Sequence, residues 1–278
     1  MNSRNAVVSS APRAPTALGT LIRQWRDLRG RSQLELSLDM GVSQRHISFV
    51  ESGRSSPSRA LLMGLAEALK MPFRDRNSLL LAAGFAPIYS DKEWNAEEMR
   101  TVNRALERML RQHEPFPAIV MDRHWNVLMT NEFAPRFFGS FIDLSTQPKD
   151  RNLLRMIFDP NAMRPFIDNW EEVSRGLFER IGREATGGII DEKSRSLISE
   201  LMAFPGVTVD WSTKDSPTSA AVIPIAFVKD GRLLKYFSMV STVGTPQTIA
   251  AQELRVESMF PADDETEVWH LETFARKG

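Results

Sequence analysis

A glutamine and an arginine stand together at positions 44 and 45, directly after Ser43 and three residues beyond Gly41. Each carries a planar group that can make two parallel hydrogen bonds to one base edge. Helical spacing from Ser43 buries Ile47 and Val50, which leaves Gln44, Arg45, Ser48 and Phe49 outward near the helix N-terminus. That end of a helix laid in a major groove is where side chains reach bases. Gly53 ends the helix, and Arg54, Ser55 and Ser56 form a polar loop able to hold phosphate. The chemistry implied is recognition of double-stranded DNA. A helical bundle with no DNA role would carry the same capping serines and buried leucines. It would not explain Gln33, Gln44, Arg45 and Arg54 sharing one face beside a glycine turn.

The elements that position these residues are legible around them. Leu18, Leu21, Ile22, Trp25 and Leu28 recur at helical spacing, and Gly30 ends that helix. Ser32 caps the next, with Glu35 three residues on completing a capping box. Gly41 falls where the chain must turn sharply, a place for positive φ. Ser43 caps the third helix. Pro57 and Ser58 open a fourth, with Leu61, Leu62, Leu65, Ala66 and Leu69 inward, and a fifth passes through Leu79 to Ala83 and stops at Gly84. The result is an all-α five-helix domain.

The stretch from Ser32 to Ser58 resembles the helix-turn-helix of the Cro and lambda-repressor type, the XRE family. The matching residues are Gln33, Leu36, Gly41, Val42, Ser43, Gln44, Ile47, Ser48, Glu51, Gly53 and Pro57. The resemblance spans about residues 18 to 73. It implies a phosphate contact for Gln33, base reading by Gln44 and Arg45, and a structural ion pair between Arg26 and Glu51. Phe49 departs from the family pattern; it either touches a thymine methyl or packs against its own domain. Because one such module grips few bases, a homodimer on two half-sites is expected.

Charge agrees with a division of labour. The chain has 278 residues and zero net charge, yet residues 13–76 carry 11 basic and 6 acidic side chains, and residues 77–278 carry 23 and 29. A basic small domain joined to an acidic larger one points to a polyanion meeting the first alone. There is no cysteine, which removes disulfides and thiolate chemistry and fits a reducing compartment. No apolar run approaches the roughly 18 residues of a membrane span, and residues 1–16 lack a signal peptide's apolar core. A cytoplasmic protein with no membrane partner is the expectation.

Residues 74–91 read as the last helix and a linker, and residues 92–275 as a second domain. A helix is expected from Asn95 as N-cap, with Met99, Val102, Leu106, Met109 and His113 as its stripe. From Ala118 the period changes to two strands around Arg123, His124 and Trp125. Helices follow near 132–138, 161–183 and 191–203. Strands are expected at 207–211, 220–228 and 233–242, with a hairpin at Asp230-Gly231, then a strand near 253–260 and a short last piece at 267–274. Strands first and last around helices make an α+β domain with an antiparallel sheet.

This second part resembles the ligand-binding domain of MmyB-like regulators, a PAS-like fold. The resemblance rests on LLLAAGFAP (79–87), PAIVMDRHWNVLMTN (117–131), Asp168-Asn169-Trp170 and the block at 243–266. It implies a small apolar ligand, with a fatty acid the best-supported class. Candidate lining residues are Trp125, Asn131, Phe133, Phe137, Phe138, Met156, Trp170, Phe178 and Trp211, with Arg136 or Arg164 for a carboxylate head. Each candidate also suits an ordinary core. No metal constellation, phosphate loop, dinucleotide fingerprint or nucleophile with a base is present, so neither cofactor nor catalysis is indicated. Two other classes stay open. One is an antitoxin-like regulator whose second domain binds a protein, and the other is an enzyme that regulates its own gene.

Overall fold

The computed structural model describes residues 16–146, 151–186, 191–207, 222 and 224–275. The chain divides into two units between Ser90 and Asp91. In the first, α1 (Ala17–Leu28) starts at Thr16, whose hydroxyl accepts from Gly19 N, and buries Leu18, Ile22 and Trp25. The helix α2 (Gln33–Asp39) starts at the Ser32–Glu35 capping box. Gly41 turns the chain at φ 62°, a conformation that costs glycine little. Ser43 then caps α3 (Gln44–Glu51), and Ser58 caps α4 (Arg59–Ala68). After α5 (Phe73–Ala82), the buried Asn77 clasps the segment that leaves the helix by bonds to Ile88 and Tyr89. The core joins Trp25, Leu36, Ile47, Leu62, Leu65 and Leu80 from all five helices. Gly19 is required by close approach: a Cβ there would lie 2.0 Å from the Glu51 carbonyl oxygen.

The second unit is built on a five-stranded antiparallel sheet, ordered β2-β1-β5-β4-β3. In chain order it comprises α6 (Arg100–Gln112), β1 (Ala118–Met121), β2 (Val127–Thr130), α7 (Phe133–Gly139), α8 (Leu153–Phe158), α9 (Trp170–Thr186) and α10 (Glu192–Met202). Next come β3 (Ile225–Lys229), β4 (Arg232–Ser241), α11 (Ile249–Glu253), β5 (Arg255–Pro261) and α12 (Asp264–His270), which runs into a π-helical turn at Leu271–Ala275. Strand alternation sorts side chains to two faces. Ile119, Met121, Phe227, Leu234, Tyr236 and Met259 pack against α7 to α10. Ala118, Val120 and Val256 turn to the other face, against Met99, Leu106 and Leu110 of the α6 segment.

Several expectations are corrected here. The helix expected from Asn95 begins at Arg100, after a 3-10 turn at Glu97–Met99 preceded by Ala96. Its buried positions are Leu106 and Leu110, while Met109 is exposed, because a 3.6-residue period carries position 109 off the stripe. The helix expected over 161–183 is shorter. Asn169 bonds Ala226 N and Pro224 O, and α9 starts only at Trp170. The helices α8 and α11 were not expected, since six and five residues are too short to show a period. The short last piece expected at 267–274 is helical, and its helix is capped by Asp263. The strand expected at 207–211 lies, apart from Val207, outside the described residues, and Trp211 with it.

Candidate functional sites

Ser43, Gln44 and Arg45 are all exposed at the start of α3, with Ser48 and Phe49 half-buried one turn on. Ser43 Oγ accepts from His46 N, which sets the helix start and leaves its O–H able to donate. The Phe49 ring is a platform. The Arg45 guanidinium lies 5.0 Å from its centroid and that of Arg54 5.8 Å, within cation–π range. Of the two roles open for Phe49, this geometry favours packing against its own domain, and it gathers both arginines onto one face.

Behind that face, Glu51 is a hub. Its side chain is 1% exposed. It accepts from Arg26 Nε at 2.7 Å, Arg26 Nη2 at 3.4 Å and Gln33 Nε2 at 2.9 Å. The hydrogen bond that Arg26 donates to Glu51 raises the Arg26 pKa above its ordinary value, against the burial that lowers it. Gln33 thus fixes α2 to the end of α3. Its amide nitrogen carries a second hydrogen that the Glu51 bond does not use.

In the larger unit, two narrow cavities open on the helical side of the sheet. The first is lined by Val127, Thr130, Ala134, Arg151, Leu153 and Met156 among others, and the second by Ile157, Ile225, Phe227, Tyr236, Glu257 and Met259 among others. Ile119, Phe138 and Leu153 line both, so the two are arms of one apolar seam between the sheet, α7 and α8. Each arm has a cavity volume of about 30 Å³, far below the roughly 300 Å³ at the small end of ligand pockets. As they stand, neither arm has room for a ligand of that size.

The sequence candidates distribute unevenly around it. Phe138 lines both arms and Met156 the first. Phe137 sits at the centre of an aromatic cluster with Phe138, Phe141, Phe227 and Tyr236. Trp125 is buried beneath the Arg180 guanidinium, 4.2 Å away. Phe178 and Trp170 pack edge-on against Phe158. Phe133 carries Arg136 on its ring, and Trp170 carries Arg164. Asn131 accepts from Ala118 N and Ala134 N and donates to Leu110 O and Phe116 O. Its hydrogen-bonding capacity goes to clamping α6, β1 and α7 together. Arg164 is committed to Pro205 O, and neither it nor Arg136 lines the two arms. Arg151, Leu153, Tyr236 and Met259 were not singled out from sequence, because neither period nor motif marks them.

A buried polar chain closes one side of this core. Tyr236 Oη donates to His270 Nδ1 at 2.8 Å, and His270 Nε2 donates to Pro115 O at 3.0 Å. Burial lowers the His270 pKa, so the ring is neutral, and the same burial raises the phenol of Tyr236. Among the described residues no three His, Asp or Glu side chains gather where they could hold a metal. No described helix is long and apolar enough to cross a membrane.

Comparison with known families assigns both units. Residues 102–271 match the MmyB-like transcription regulator ligand binding domain. Residues 22–75 match a helix-turn-helix family. Both families are regulatory. No curated protein matches the chain.

Proposed function

The chain belongs to the MmyB-like transcription regulators, and from that premise we propose that it grips its operator as a homodimer and responds to an elongated apolar ligand of the fatty-acid class. It is a DNA-binding transcription regulator with a helix-turn-helix ahead of a ligand-binding domain. In this reading Gln44 and Arg45 read bases, and Gln33, Ser43, Ser48 and Arg54 seat α3 against the backbone. Two copies on half-sites about 34 Å apart supply the affinity one module lacks.

The observation that carries the ligand reading is the shared wall of Ile119, Phe138 and Leu153. It makes one long, narrow and almost wholly apolar path from two small cavities. A path of that shape suits an unbranched chain better than a compact ring. Because the walls touch when empty, binding must push α7 and α8 from the sheet. The ligand would then act by altering how the two DNA-binding domains are spaced, a coupling that must be reciprocal. A protein partner in place of a ligand would need a continuous apolar patch. Val228 and Leu233 are exposed as one cross-strand pair, and Met239 and Val240 point to opposite faces further along β4, so these side chains do not merge into one patch.

The test is organic extraction and mass spectrometry of the purified full-length protein, followed by calorimetric titration of the delipidated protein with saturated fatty acids. A stoichiometric acyl species, or saturable binding of added acids, is the expected result. Failure of both would remove the ligand assignment and leave the DNA-binding one standing.

A further inference from the structure

We propose that Arg151 holds a single anionic head group at the open end of the seam, with the ligand's tail running inward past Phe138 and Leu153 toward Met259. This rests on the reading of the seam as an acyl-chain site and adds a polarity to it.

Four observations converge on Arg151. It is the one charged side chain among the described residues lining the first arm, and it is exposed. No ion pair or side-chain hydrogen bond engages it among the described residues, whereas nearby Arg155 is paired with Glu200 at 2.8 Å. Its backbone is held in place: Arg151 O accepts from Val127 N at 2.8 Å, and Leu153 N donates to Trp125 O at 2.9 Å. Asn152 between them donates to His124 O and Asn126 Oδ1. A short extended segment is thereby laid beside β2, and it sets an uncommitted guanidinium at the cavity rim. Thr130, exposed on the same rim, offers a hydroxyl as a second donor. A guanidinium with a nearby hydroxyl is suited to a carboxylate or another singly charged oxyanion.

The second arm has the opposite character. Among the described residues the charged side chain lining the second arm is Glu257, which stands across from Ile119 where the arms meet. Arg180 donates to Glu257 from Nη1 and to Glu184 from Nε, each at 3.0 Å. The second arm thus carries a carboxylate on its wall, and its further lining by Ile157, Ile225 and Phe227 offers no cation to a second anion. The two ends together specify an amphiphile with one anionic head and an uncharged tail end. Arg136 and Arg164, the head-group candidates from sequence, are turned to Phe133 and Trp170 instead.

The experiment uses the delipidated full-length protein and three matched probe sets: decanoate, tetradecanoate and octadecanoate, the corresponding alcohols, and the corresponding α,ω-dicarboxylates. Binding is measured by calorimetry for wild type, Arg151→Gln and Arg151→Lys at low and high salt. Arg151→Gln is expected to weaken carboxylate binding about three- to tenfold, as suits an ion pair at a partly solvated rim. Alcohol binding should be unchanged, and Arg151→Lys should recover most of the loss. Salt should weaken the acids and not the alcohols, and the dicarboxylates should bind more weakly than the monocarboxylates. If Arg151→Gln binds the acids as wild type does, or loses acids and alcohols alike, the head-group assignment is overturned while the seam stands. If wild type binds neither acids nor alcohols, the seam reading falls and the head-group assignment with it.

Discussion

Replacing Glu51 with alanine tests whether the DNA-reading helix is held by a buried charge. Glu51 is almost wholly enclosed, and Arg26 is 13% exposed. Removing the carboxylate strands the Arg26 guanidinium and the Gln33 amide. Breaking a buried pair from one side costs about 3–5 kcal/mol. Arg26 keeps bonds to Asp27 and to Arg31 O, which places the expected cost near the lower end, about 3 kcal/mol. Set against a typical stability of about 5–15 kcal/mol, that is a large fraction. Hydrogen–deuterium exchange of the intact chain reads it locally. Amides of α1 and α3 should exchange about a hundredfold faster, while those of the central sheet strands should not change. Glu51→Gln, which keeps an acceptor, should show roughly half the effect in free energy. The pair Arg26→Met with Glu51→Leu removes both charges and should recover most of the protection, because apolar replacements of buried pairs are near neutral. Exchange in Glu51→Ala within threefold of wild type would refute the reasoning. So would a double variant as labile as Glu51→Ala, since the stranded guanidinium could not then be the cause.

Other perturbations bear on the remaining features. Arg45→Ala should weaken binding to an operator selected from randomised duplexes by about 1–3 kcal/mol while scarcely altering binding to scrambled DNA; anisotropy titrations on both duplexes check this. Gly19→Ala drives a methyl group into the Glu51 carbonyl at the end of α3 and should destabilise the helical unit by about 1–3 kcal/mol, weakening DNA binding in gel shifts while fatty-acid binding persists. His270 has a folded pKa below its ordinary value, so the unfolded chain takes up the proton first. Its contribution is intact above about pH 6.5 and is lost as pH falls from there toward the depressed folded value. Urea midpoints should drop across that range in wild type, and His270→Gln should be weaker at neutral pH with a flatter profile.

Much of the helical unit is legible because its signals are local. Ser32, Ser43 and Ser58 cap the helices that follow them, and Gly41 turns where glycine costs least. A cap bonds an amide three residues away, so sequence neighbours are spatial neighbours. The hairpin at Asp230-Gly231 and the strands flanking Trp125 are readable for the same reason. The order of the strands is not, because β1 lies between β2 and β5, and the partner of Ile119 is Glu257. Short helices such as α8 escape a period-based reading, and aromatic composition cannot separate lining from core: Phe138 faces the seam and its neighbour Phe137 the aromatic centre. By itself the sequence determined that a basic helix-turn-helix domain precedes an acidic α+β domain, and which residue types α3 presents. Only the tertiary structure decided that Glu51 gathers Arg26 and Gln33, that Asn131 is a clamp, and that Arg151 lines the rim of an apolar cavity. Those outcomes depend on packing between residues distant in the chain, where a residue's type is the same whether its neighbours enclose it or leave it facing water.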